Sequence, residues 1–350
     1  MSRRAAAAAP LLLCVTACGG GGSPAAPPPP VPVYDVVAVV FYDEDGDGRA
    51  DPAEIVRVAD VELQVGSRTG RSQKGSGRAV ISGVPAGRPS VAVRTSTLPP
   101  FYAAPTSVPA TVPQPAGEEV MVPLTLPIGG NVPNTYMGFG DSITVGEGSS
   151  DDAGYRDRLQ SKLAAHFGRG AVINQGIAGT RSNFGAGRID GSLIDVRPAY
   201  TLILYGTNDW NQNECKTAFP CFTIASLRQM VLAARFFQSL PLLATIPPCN
   251  VGFDERAPPE RNEFYSKMNE LIRPMAGEEG AVLVDLEAAF LREPDLASLF
   301  VDHIHPSDAG YEIIASELFA AILRPATTAA AAAAPGPRRV AFGFIRAVGE

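Results

Sequence analysis

Residues 135–144 have the sequence TYMGFGDSIT, in which a short apolar run is followed at once by a small polar turn. Apolar runs of this length that are bounded by glycine are typical of buried strands. Ser142 therefore stands at the carboxyl end of a predicted strand, the edge at which open parallel sheets bind their ligands. The next residues can begin a helix, whose N-terminus would favour a negative charge on a bound group.

The same strand pattern recurs downstream, where it alternates with amphipathic helical patterns. Strands are predicted at residues 135–140, 171–175, 201–205, 242–246 and 281–285. Helices are predicted around residues 155–167, 224–240, 259–275 and 307–323. This alternation is typical of βαβ units, which build a parallel sheet with helices on both faces. We therefore predict an α/β fold, a three-layer doubly wound parallel sheet, over residues 134–325.

The chain before this domain follows a different pattern. Short valine-rich runs separated by turn residues occupy residues 33–42, 56–65, 78–81, 91–95 and 120–126. Such a pattern predicts a small all-β sandwich over residues 34–127. A segment rich in Pro, Gly and Asn at 128–133 is predicted to link the two domains, and an alanine-rich tail covers residues 326–350.

Three further polar segments follow predicted strands or occupy the last loop. They are NQGIAG at residues 174–179, YGTND at 205–209 and DHIHP at 302–306. Together with residues 138–144, they resemble, in order, the four sequence blocks of the SGNH, or GDSL-type, esterase and lipase family. Thr144 stands where the G-x-S-x-G motif has its second glycine, so the serine block is a different motif. The resemblance implies a hydrolase of carboxylic esters, a serine esterase that forms an acyl-enzyme and needs no cofactor for catalysis.

The resemblance also implies a role for five residues. Ser142 matches the nucleophile, His305 the general base, and Asp302 the carboxylate that orients the base. The oxyanion hole would be formed by the backbone N–H groups of Ser142 and Gly179 and by the side-chain amide of Asn208. These roles agree with elementary chemistry, because a serine hydroxyl is a poor nucleophile until a base takes its proton.

The choice of base rests on very few candidates. The chain has only three histidines, and His166 lies within a predicted helix. The family pattern selects His305, and His303 is the alternative base. A metal site formed by both histidines beside Asp302 is a further alternative, although the sequence shows no other ligand cluster nearby.

A dense acidic loop follows the first predicted strand. It fits the twelve-residue calcium-loop pattern at its side-chain ligand positions, which are Asp43, Asp45, Asp47, Asp51 and Glu54. The preceding strand and Pro52 distinguish it from an EF-hand. We predict a structural calcium (Ca2+) site; a solvated acidic turn and a calcium sensor are the alternatives. Residues 34–127 resemble the prealbumin-like B-type modules of bacterial surface proteins, which implies a spacer with no chemistry of its own.

The N-terminus is typical of an export signal. Arg3 and Arg4 precede an apolar stretch at residues 5–17. The sequence VTAC at residues 15–18 resembles a bacterial lipobox, which implies a signal peptide of residues 1–17 and a lipid on Cys18. Residues 18–33 would form a Gly/Pro-rich tether. The prediction is a membrane-anchored lipoprotein, periplasmic or on the cell surface; an ordinary secretory signal with an incidental Cys18 is the alternative.

The remaining cysteines fit an exported protein. Cys215 and Cys221 flank a short loop, which suits a disulfide bond in an oxidising compartment and leaves Cys249 free. The cysteine spacing matches no zinc signature.

Composition and one short motif bear on partners and substrate. The formal net charge of -7, without a basic stripe, excludes nucleic acid as a partner. Residues 154–156, Gly-Tyr-Arg, resemble a stretch of carbohydrate acetylesterases, which implies an acetylesterase acting on acetylated polysaccharide. The lack of a long apolar lid segment disfavours long acyl chains. A broad-specificity lipase or lysophospholipase and a non-catalytic surface-binding protein are the alternatives.

Overall fold

A computed structural model describes residues 30–325 of the chain. The predicted signal peptide, the lipidation site at Cys18, most of the tether and the alanine-rich tail lie outside the described residues. Within residues 30–325, no helix combines the length and the apolar character that a membrane crossing requires.

Seven strands form two small sheets in the first half of the described chain. The first sheet has the order β4 (Arg78–Pro85), β1 (Val33–Tyr42), β7 (Val120–Leu124), and the second has the order β3 (Arg68–Arg71), β2 (Glu62–Val65), β5 (Ser90–Val93), β6 (Val108–Pro109). Alternate residues of β4 are buried, as expected for a strand with one face on a core. Both sheets contribute to that core, which confirms the predicted sandwich.

The first half differs in detail from the expected strand pattern. Of the predicted strand at 56–65, only Glu62–Val65 is a regular strand, because Asp60 adopts a positive φ of 62° and turns the chain. The strand β3 was missed because its four residues, RTGR, have no apolar pattern. Val56 and Val58 are nevertheless buried, so their apolar character reflects packing without strand geometry.

A five-stranded parallel sheet forms the centre of the second half, which confirms the predicted fold class. Its strands are β8 (Val132–Gly140), β9 (Ala171–Gly176), β10 (Pro198–Leu204), β11 (Leu240–Ala244) and β12 (Val282–Val284). The spatial order is β12-β11-β10-β8-β9, and every neighbouring pair is parallel. The chain changes direction across the sheet between β8 and β10, so a crevice is expected outside their carboxyl ends.

Helices cover both faces of this sheet. They are α1 (Ser142–Val145), α2 (Tyr155–Phe167), α3 (Ser182–Val196), α4 (Asn213–Thr217), α5 (Thr223–Phe236), α6 (Pro259–Glu278), α7 (Leu286–Leu291) and α8 (Asp308–Leu323). Buried residues of α2 and α8 share one core with Tyr136, whereas those of α3, α5 and α6 share a second core with Met137. Successive strand residues point to opposite faces, so the sheet is the middle of three layers.

Helix α3 was missing from the sequence prediction. It contains Gly185, Gly187 and Gly191, and each glycine lowers helix stability by about 1 kcal/mol relative to alanine. At least one of them is required by packing, because a Cβ on Gly185 would lie 2.6 Å from the ring of Tyr205. The glycine at position 185 is therefore explained by the close packing of α3 against Tyr205. This packing cannot be predicted from a single sequence.

The two halves of the chain are joined more closely than a linker at 128–133 would suggest. Strand β8 begins at Val132, which pairs with Pro198, so the strand starts inside the predicted linker. The ring of Tyr200 stacks on Tyr136 with centroids 4.8 Å apart, and Phe101 of the first half lies edge-on to it at 6.5 Å. Residues 33–325 accordingly pack as one compact unit.

A polar contact adds to this apolar interface. Glu44, in the acidic loop, forms an ion pair with Arg169, which precedes β9. Arg169 also donates a hydrogen bond of 2.9 Å to the carbonyl oxygen of Ala53, near the end of the same loop. The side-chain amide of Asn134 donates to Glu44 at 3.0 Å, so the acidic loop is held against the parallel sheet.

Candidate active site

Ser142 is the first residue of the short helix α1, and only Asp141 separates it from strand β8. The carboxylate of Asp141 accepts the N–H of Ile143 at 3.0 Å and so caps the helix. Gly146 ends it in a left-handed conformation with a φ of 103°. This tight strand–turn–helix arrangement places the Ser142 hydroxyl at the carboxyl edge of the sheet.

Residues 154–156 hold α1 in place through hydrogen bonds. The Tyr155 hydroxyl donates to the Thr144 hydroxyl at 3.2 Å, and Tyr155 is fully buried. The Arg156 guanidinium donates to the carbonyl oxygens of Thr144 at 3.0 Å and Val145 at 2.8 Å. These contacts satisfy backbone groups that a one-turn helix leaves without partners. The Gly-Tyr-Arg stretch therefore supports the serine turn.

The structure brings Ser142, His305 and Asp302 into one chain of contacts. The Ser142 Oγ lies 2.9 Å from His305 Nε2, and His305 Nδ1 lies 2.7 Å from Asp302 Oδ2. The other oxygen of Asp302 accepts the backbone N–H groups of Ile304 at 2.8 Å and His305 at 2.7 Å. Such an arrangement allows a hydroxyl proton to pass to an imidazole that is oriented by a carboxylate.

The carboxylate of Asp302 stays ionised in this setting. Burial by itself raises its pKa, but the hydrogen bonds from the backbone of His305 and Ile304 outweigh burial and hold the pKa below its ordinary value. An ionised Asp302 accepts the Nδ1 proton of His305. The Nε2 lone pair then faces the Ser142 hydroxyl and can accept its proton.

His303 is not brought to Ser142. Its side chain is largely buried, and its Nδ1 lies 3.7 Å from Asp302 Oδ1, with no hydrogen-bond partner in the described part of the chain. Burial lowers the pKa of His303, although the Asp302 carboxylate opposes that effect. Among residues 30–325, the only cluster of three or more potential metal ligands lies elsewhere, at Asp43, Asp45 and Asp47. The geometry thus favours His305 over His303 as the base and offers no support for a metal site at 302–305.

The two residues predicted to complete the oxyanion hole lie in loops that meet beside Ser142. Gly179 adopts a positive φ of 69° in the loop after β9, and the Ile177 N–H donates to Gly140 at 3.0 Å, which holds this loop against the end of β8. The Asn208 amide is buried and donates to the Thr180 carbonyl oxygen at 3.0 Å and to Asp141 Oδ2 at 3.3 Å. Asn208 thus contacts the residues adjacent to Gly179 and to Ser142.

A buried network supports the Asn208 loop from below. Asp209 accepts the N–H of Ser182 at 2.9 Å and the hydroxyl groups of Ser182 at 2.6 Å and Thr223 at 2.7 Å. Burial raises the pKa of Asp209, and these donors partly offset it. Asp209 therefore braces the loop and takes no part in the proton-transfer chain.

Two side chains of α6 reach the same loop. Arg261, only 1% exposed, and Tyr265 donate to the Thr207 carbonyl oxygen at 3.1 Å and 2.7 Å. Nothing in the sequence marks Arg261 as buried, because it stands among charged residues at the start of a helix. Its position becomes evident only when α6 is placed against the loop that follows β10.

Three further residues around the site were missed by the sequence analysis. Asp141 lies inside the serine block, and Glu147 follows it with its Oε2 3.2 Å from His305 Nε2. Arg188, on the unpredicted helix α3, donates to Gly140 at 3.2 Å and Gln175 at 2.6 Å and lies 4.0 Å from the ring centroid of Phe139. Only Asp141 had a sequence signal, its place directly before the candidate nucleophile.

Asp141 titrates far from its ordinary range. Burial raises its pKa to about 7, and the charge of Asp209 adds to this effect, whereas the hydrogen bond from the Ile143 N–H opposes it. A carboxyl group directly beside the nucleophile therefore changes charge near neutral pH.

The acidic loop lies apart from this site. Carboxylate oxygens of Asp43, Asp45 and Asp47 lie within 4.8 Å of one another, and Asp43 accepts the N–H groups of Gly46 at 2.8 Å and Gly48 at 3.0 Å. Asp51 and Glu54 are not part of this cluster. The Glu54 carboxylate instead accepts the N–H groups of Glu44 at 2.6 Å and Asp51 at 3.0 Å. Three of the five predicted calcium ligands are thus brought together.

Between residues 30 and 325, the cysteines form one short disulfide-closed loop and one free thiol. A disulfide bond joins Cys215 in α4 to Cys221. Cys249 is free and buried, and burial raises the pKa of its thiol. The disulfide closes the segment that follows the Asn208 loop.

One protein family and several solved structures resemble the chain. The family model for the GDSL-like lipase/acylhydrolase family matches residues 139–313, half of the chain. Solved structures that resemble the chain include a lipase/acylhydrolase from Enterococcus faecalis (22% identity, 55% of this chain and 99% of that chain, TM-score 0.45). They also include the acetylxylan esterase Axe2 from Geobacillus stearothermophilus (27% identity, 55% and 95% covered, TM-score 0.45). No curated protein matches the chain.

The family match begins in strand β8 and ends in α8, so it spans every segment that contributes to the serine site. Within it lie the serine turn, the Asn208 loop and the segment that carries Asp302 and His305. The chain therefore belongs to the GDSL-like lipase/acylhydrolase family and is a hydrolase of carboxylic esters.

Proposed function

We propose that this esterase removes short acyl groups, above all acetyl groups, from carbohydrates, with Ser142 as its nucleophile. The observation that carries the proposal is the contact chain from Ser142 Oγ to His305 Nε2 at 2.9 Å and from His305 Nδ1 to Asp302 at 2.7 Å. A hydroxyl, an imidazole and an ionised carboxylate in this order are the elements of a serine hydrolase.

Each member of the contact chain has one task. Ser142 Oγ attacks the ester carbonyl carbon while its proton passes to His305 Nε2. The C–O bond to the alcohol then breaks, and the alcohol leaves with that proton, which yields an acyl-enzyme. Water attacks the acyl-enzyme with His305 again as the base and releases the acid. Asp302 orients the imidazole and stabilises its protonated form.

The negative charge on the carbonyl oxygen needs donors in the transition state. The proposed donors are the backbone N–H groups of Ser142 and Gly179 and the amide of Asn208. Asn208 donates to Asp141 at 3.3 Å, the longer of its two hydrogen bonds. We expect the amide to exchange this contact for the oxyanion and to keep its 3.0 Å bond to Thr180.

Two observations support a small acyl group on a polar alcohol. Residues 154–156, which resemble carbohydrate acetylesterases, hold the serine helix α1 through Thr144 and Val145. The segment after Asn208 forms the short, polar helix α4, which is tied down by the disulfide bond between Cys215 and Cys221. A long acyl chain needs a largely apolar site, and the residues of α4, NECKT, do not offer one.

The test compares p-nitrophenyl acetate, butyrate and octanoate with the full chain and with Ser142→Ala. We expect acetate to be cleaved fastest and only by the wild type, and acetate to be released from acetylated xylan oligomers. Faster hydrolysis of octanoate than of acetate would contradict the acetylesterase proposal and favour a lipase. Equal activity of Ser142→Ala would contradict the proposed nucleophile.

We also propose that the acidic loop binds a structural Ca2+ ion. Carboxylate oxygens are the ligands that this cation prefers, and those of Asp43, Asp45 and Asp47 already lie within 4.8 Å of one another. A bound ion would offset the repulsion among them. We expect Ca2+ to raise the melting temperature of the wild type but not of Asp45→Asn/Asp47→Asn, and Mg2+ to act more weakly. Equal melting temperatures with Ca2+ and with chelator would argue against the site.

The export proposal rests on the sequence alone. We propose that Cys18 carries a lipid that anchors the protein to a bacterial membrane, in the periplasm or at the cell surface. We expect the wild type to partition with detergent and Cys18→Ser to stay in the aqueous phase. Aqueous partitioning of both proteins would favour an ordinary secretory signal.

A further inference from the structure

Glu147 is held beside the candidate base by a rigid piece of backbone. Its N–H donates to the Ser142 carbonyl oxygen at 3.1 Å, and its carbonyl oxygen accepts the Tyr311 hydroxyl at 2.6 Å. Gly146 and Gly148 flank it with φ values of 103° and 94°. A Cβ at Gly148 would lie 2.8 Å from the Pro306 carbonyl oxygen and 3.1 Å from His305 Cβ. This close approach sets the Glu147 side chain against the His305 loop.

The Glu147 carboxylate faces the reactive nitrogen of His305 on its solvent side. Its Oε2 lies 3.2 Å from Nε2, and the side chain is 43% exposed. Within residues 30–325, Glu147 forms no ion pair with a lysine or an arginine. Since Nδ1 donates to Asp302, the neutral imidazole offers Glu147 no proton from Nε2. The contact becomes attractive only when Nε2 is protonated, as it is after Ser142 loses its proton.

The same position constrains the substrate. The alcohol oxygen of the ester must reach Nε2 to receive its proton, so the alcohol part of the substrate has to pass close to Glu147. A negative charge on that alcohol would meet an exposed and unneutralised carboxylate. Repulsion over a few ångströms in a partly solvated site changes a rate by about tenfold.

We propose that Glu147 is a specificity-determining residue that selects esters of uncharged or cationic alcohols against esters of anionic ones. For a carbohydrate substrate, this means acetyl groups on neutral sugars rather than on sugar acids. The inference rests on the proposed ester hydrolysis at Ser142, and it specifies the charge that the alcohol part of the substrate carries.

The test uses two aryl acetates of nearly equal size, 4-acetoxybenzamide and 4-acetoxybenzoate. For each protein, the measured quantity is kcat/KM for 4-acetoxybenzamide divided by kcat/KM for 4-acetoxybenzoate. We expect this ratio to be about ten times larger in the wild type than in Glu147→Gln. Glu270→Gln removes an exposed carboxylate on α6 and serves as the charge-matched control, which should keep the wild-type ratio. High salt should lower the wild-type ratio, because the Debye length falls to about 3 Å at 1 M.

The possible outcomes distinguish a failure of the proposed role of Glu147 from a failure of the proposed esterase function. Equal ratios in wild type and Glu147→Gln would overturn the role of Glu147 while leaving the esterase intact. A wild-type ratio that does not respond to salt would overturn it as well, and this measurement needs no variant. Hydrolysis of neither ester through Ser142 would overturn the proposed function and the inference together.

Discussion

The side-chain amide nitrogen of Asn208 lies 3.3 Å from a carboxylate oxygen of Asp141, the residue directly before Ser142. The same nitrogen lies 3.0 Å from the carbonyl oxygen of Thr180, the residue directly after Gly179. One amide therefore connects the segments that follow β8, β9 and β10. It sets the spacing between the nucleophile and the two loops that are proposed to hold the oxyanion.

Asn208→Ala should lower kcat by about 10²–10³ in a protein that still folds, because it removes one donor to the developing oxyanion. The measurement is p-nitrophenyl acetate turnover, with thermal melting as the check on the fold. Asn211→Ala is a control on the same loop, since Asn211 is exposed. Unchanged turnover of Asn208→Ala would exclude Asn208 from the oxyanion hole.

The two histidines of the last loop should behave very differently. His305→Gln removes the group that lies 2.9 Å from Ser142 Oγ, so we expect kcat to fall by roughly 10³ or more. His303→Gln should retain activity within a few-fold, because His303 does not contact Ser142. Parallel measurements of kcat decide between them, and a larger loss in His303→Gln would make His303 the base.

Asp141 should make folding stability depend on pH. Its pKa rises from 3.8 to about 7 on folding, so between these values the folded state binds a proton that the unfolded state does not. Stability from this group is therefore present at low pH and lost as pH rises through about 7. Relative to Asp141→Asn, the wild type should lose up to about 4 kcal/mol of unfolding free energy between pH 4 and pH 7.

Urea unfolding of the wild type and Asp141→Asn at several pH values measures this difference. A constant difference between the two proteins from pH 4 to pH 7 would show that Asp141 is ionised throughout.

Arg169→Ala should destabilise the whole compact unit. It removes the ion pair with Glu44 and the hydrogen bond to Ala53, and it leaves the largely buried Glu44 carboxylate without its cation. We expect a loss of about 1–2 kcal/mol in urea unfolding. Arg78→Ala, which breaks a more exposed ion pair with Glu119, is the control and should change stability by less than about 0.5 kcal/mol. Similar losses in both variants would mean that the Glu44–Arg169 contact is an ordinary surface pair.

Local sequence patterns were sufficient to predict the central sheet and the polar residues at its carboxyl edge. The strands β10 and β11 are buried along their whole length, and Ser142 and Asn208 follow strand ends, so parallel topology alone predicts that they meet. The helix and the site residue that the sequence did not predict depend on packing between distant segments. Gly185 lowers the helix propensity of α3 yet is required by the ring of Tyr205, and Glu147 reaches His305 only through the fold of the loop around Gly148.

In the acidic loop, too, the spacing of the residues does not predict which hydrogen bonds their side chains form. The spacing of its acids predicted five ligands around one cation, but backbone N–H groups compete for the carboxylates. Glu54 is occupied by the N–H groups of Glu44 and Asp51, and this preference has no signature in the residue types. In the structure, the carboxylates of Asp43, Asp45 and Asp47 lie together, whereas Glu54 is engaged by backbone N–H groups.

The core shared by the two halves has a practical consequence for the boundaries at which the chain can be cut. A fragment that begins at residue 134 would uncover the face of the sheet on which Phe101 packs, including the rings of Tyr136 and Tyr200. It would also break off the first residues of the strand β8 that ends next to Ser142. Newly bared aromatic surface of this kind promotes self-association. The shortest fragment expected to remain well behaved in solution therefore begins at the first β-strand, near residue 33.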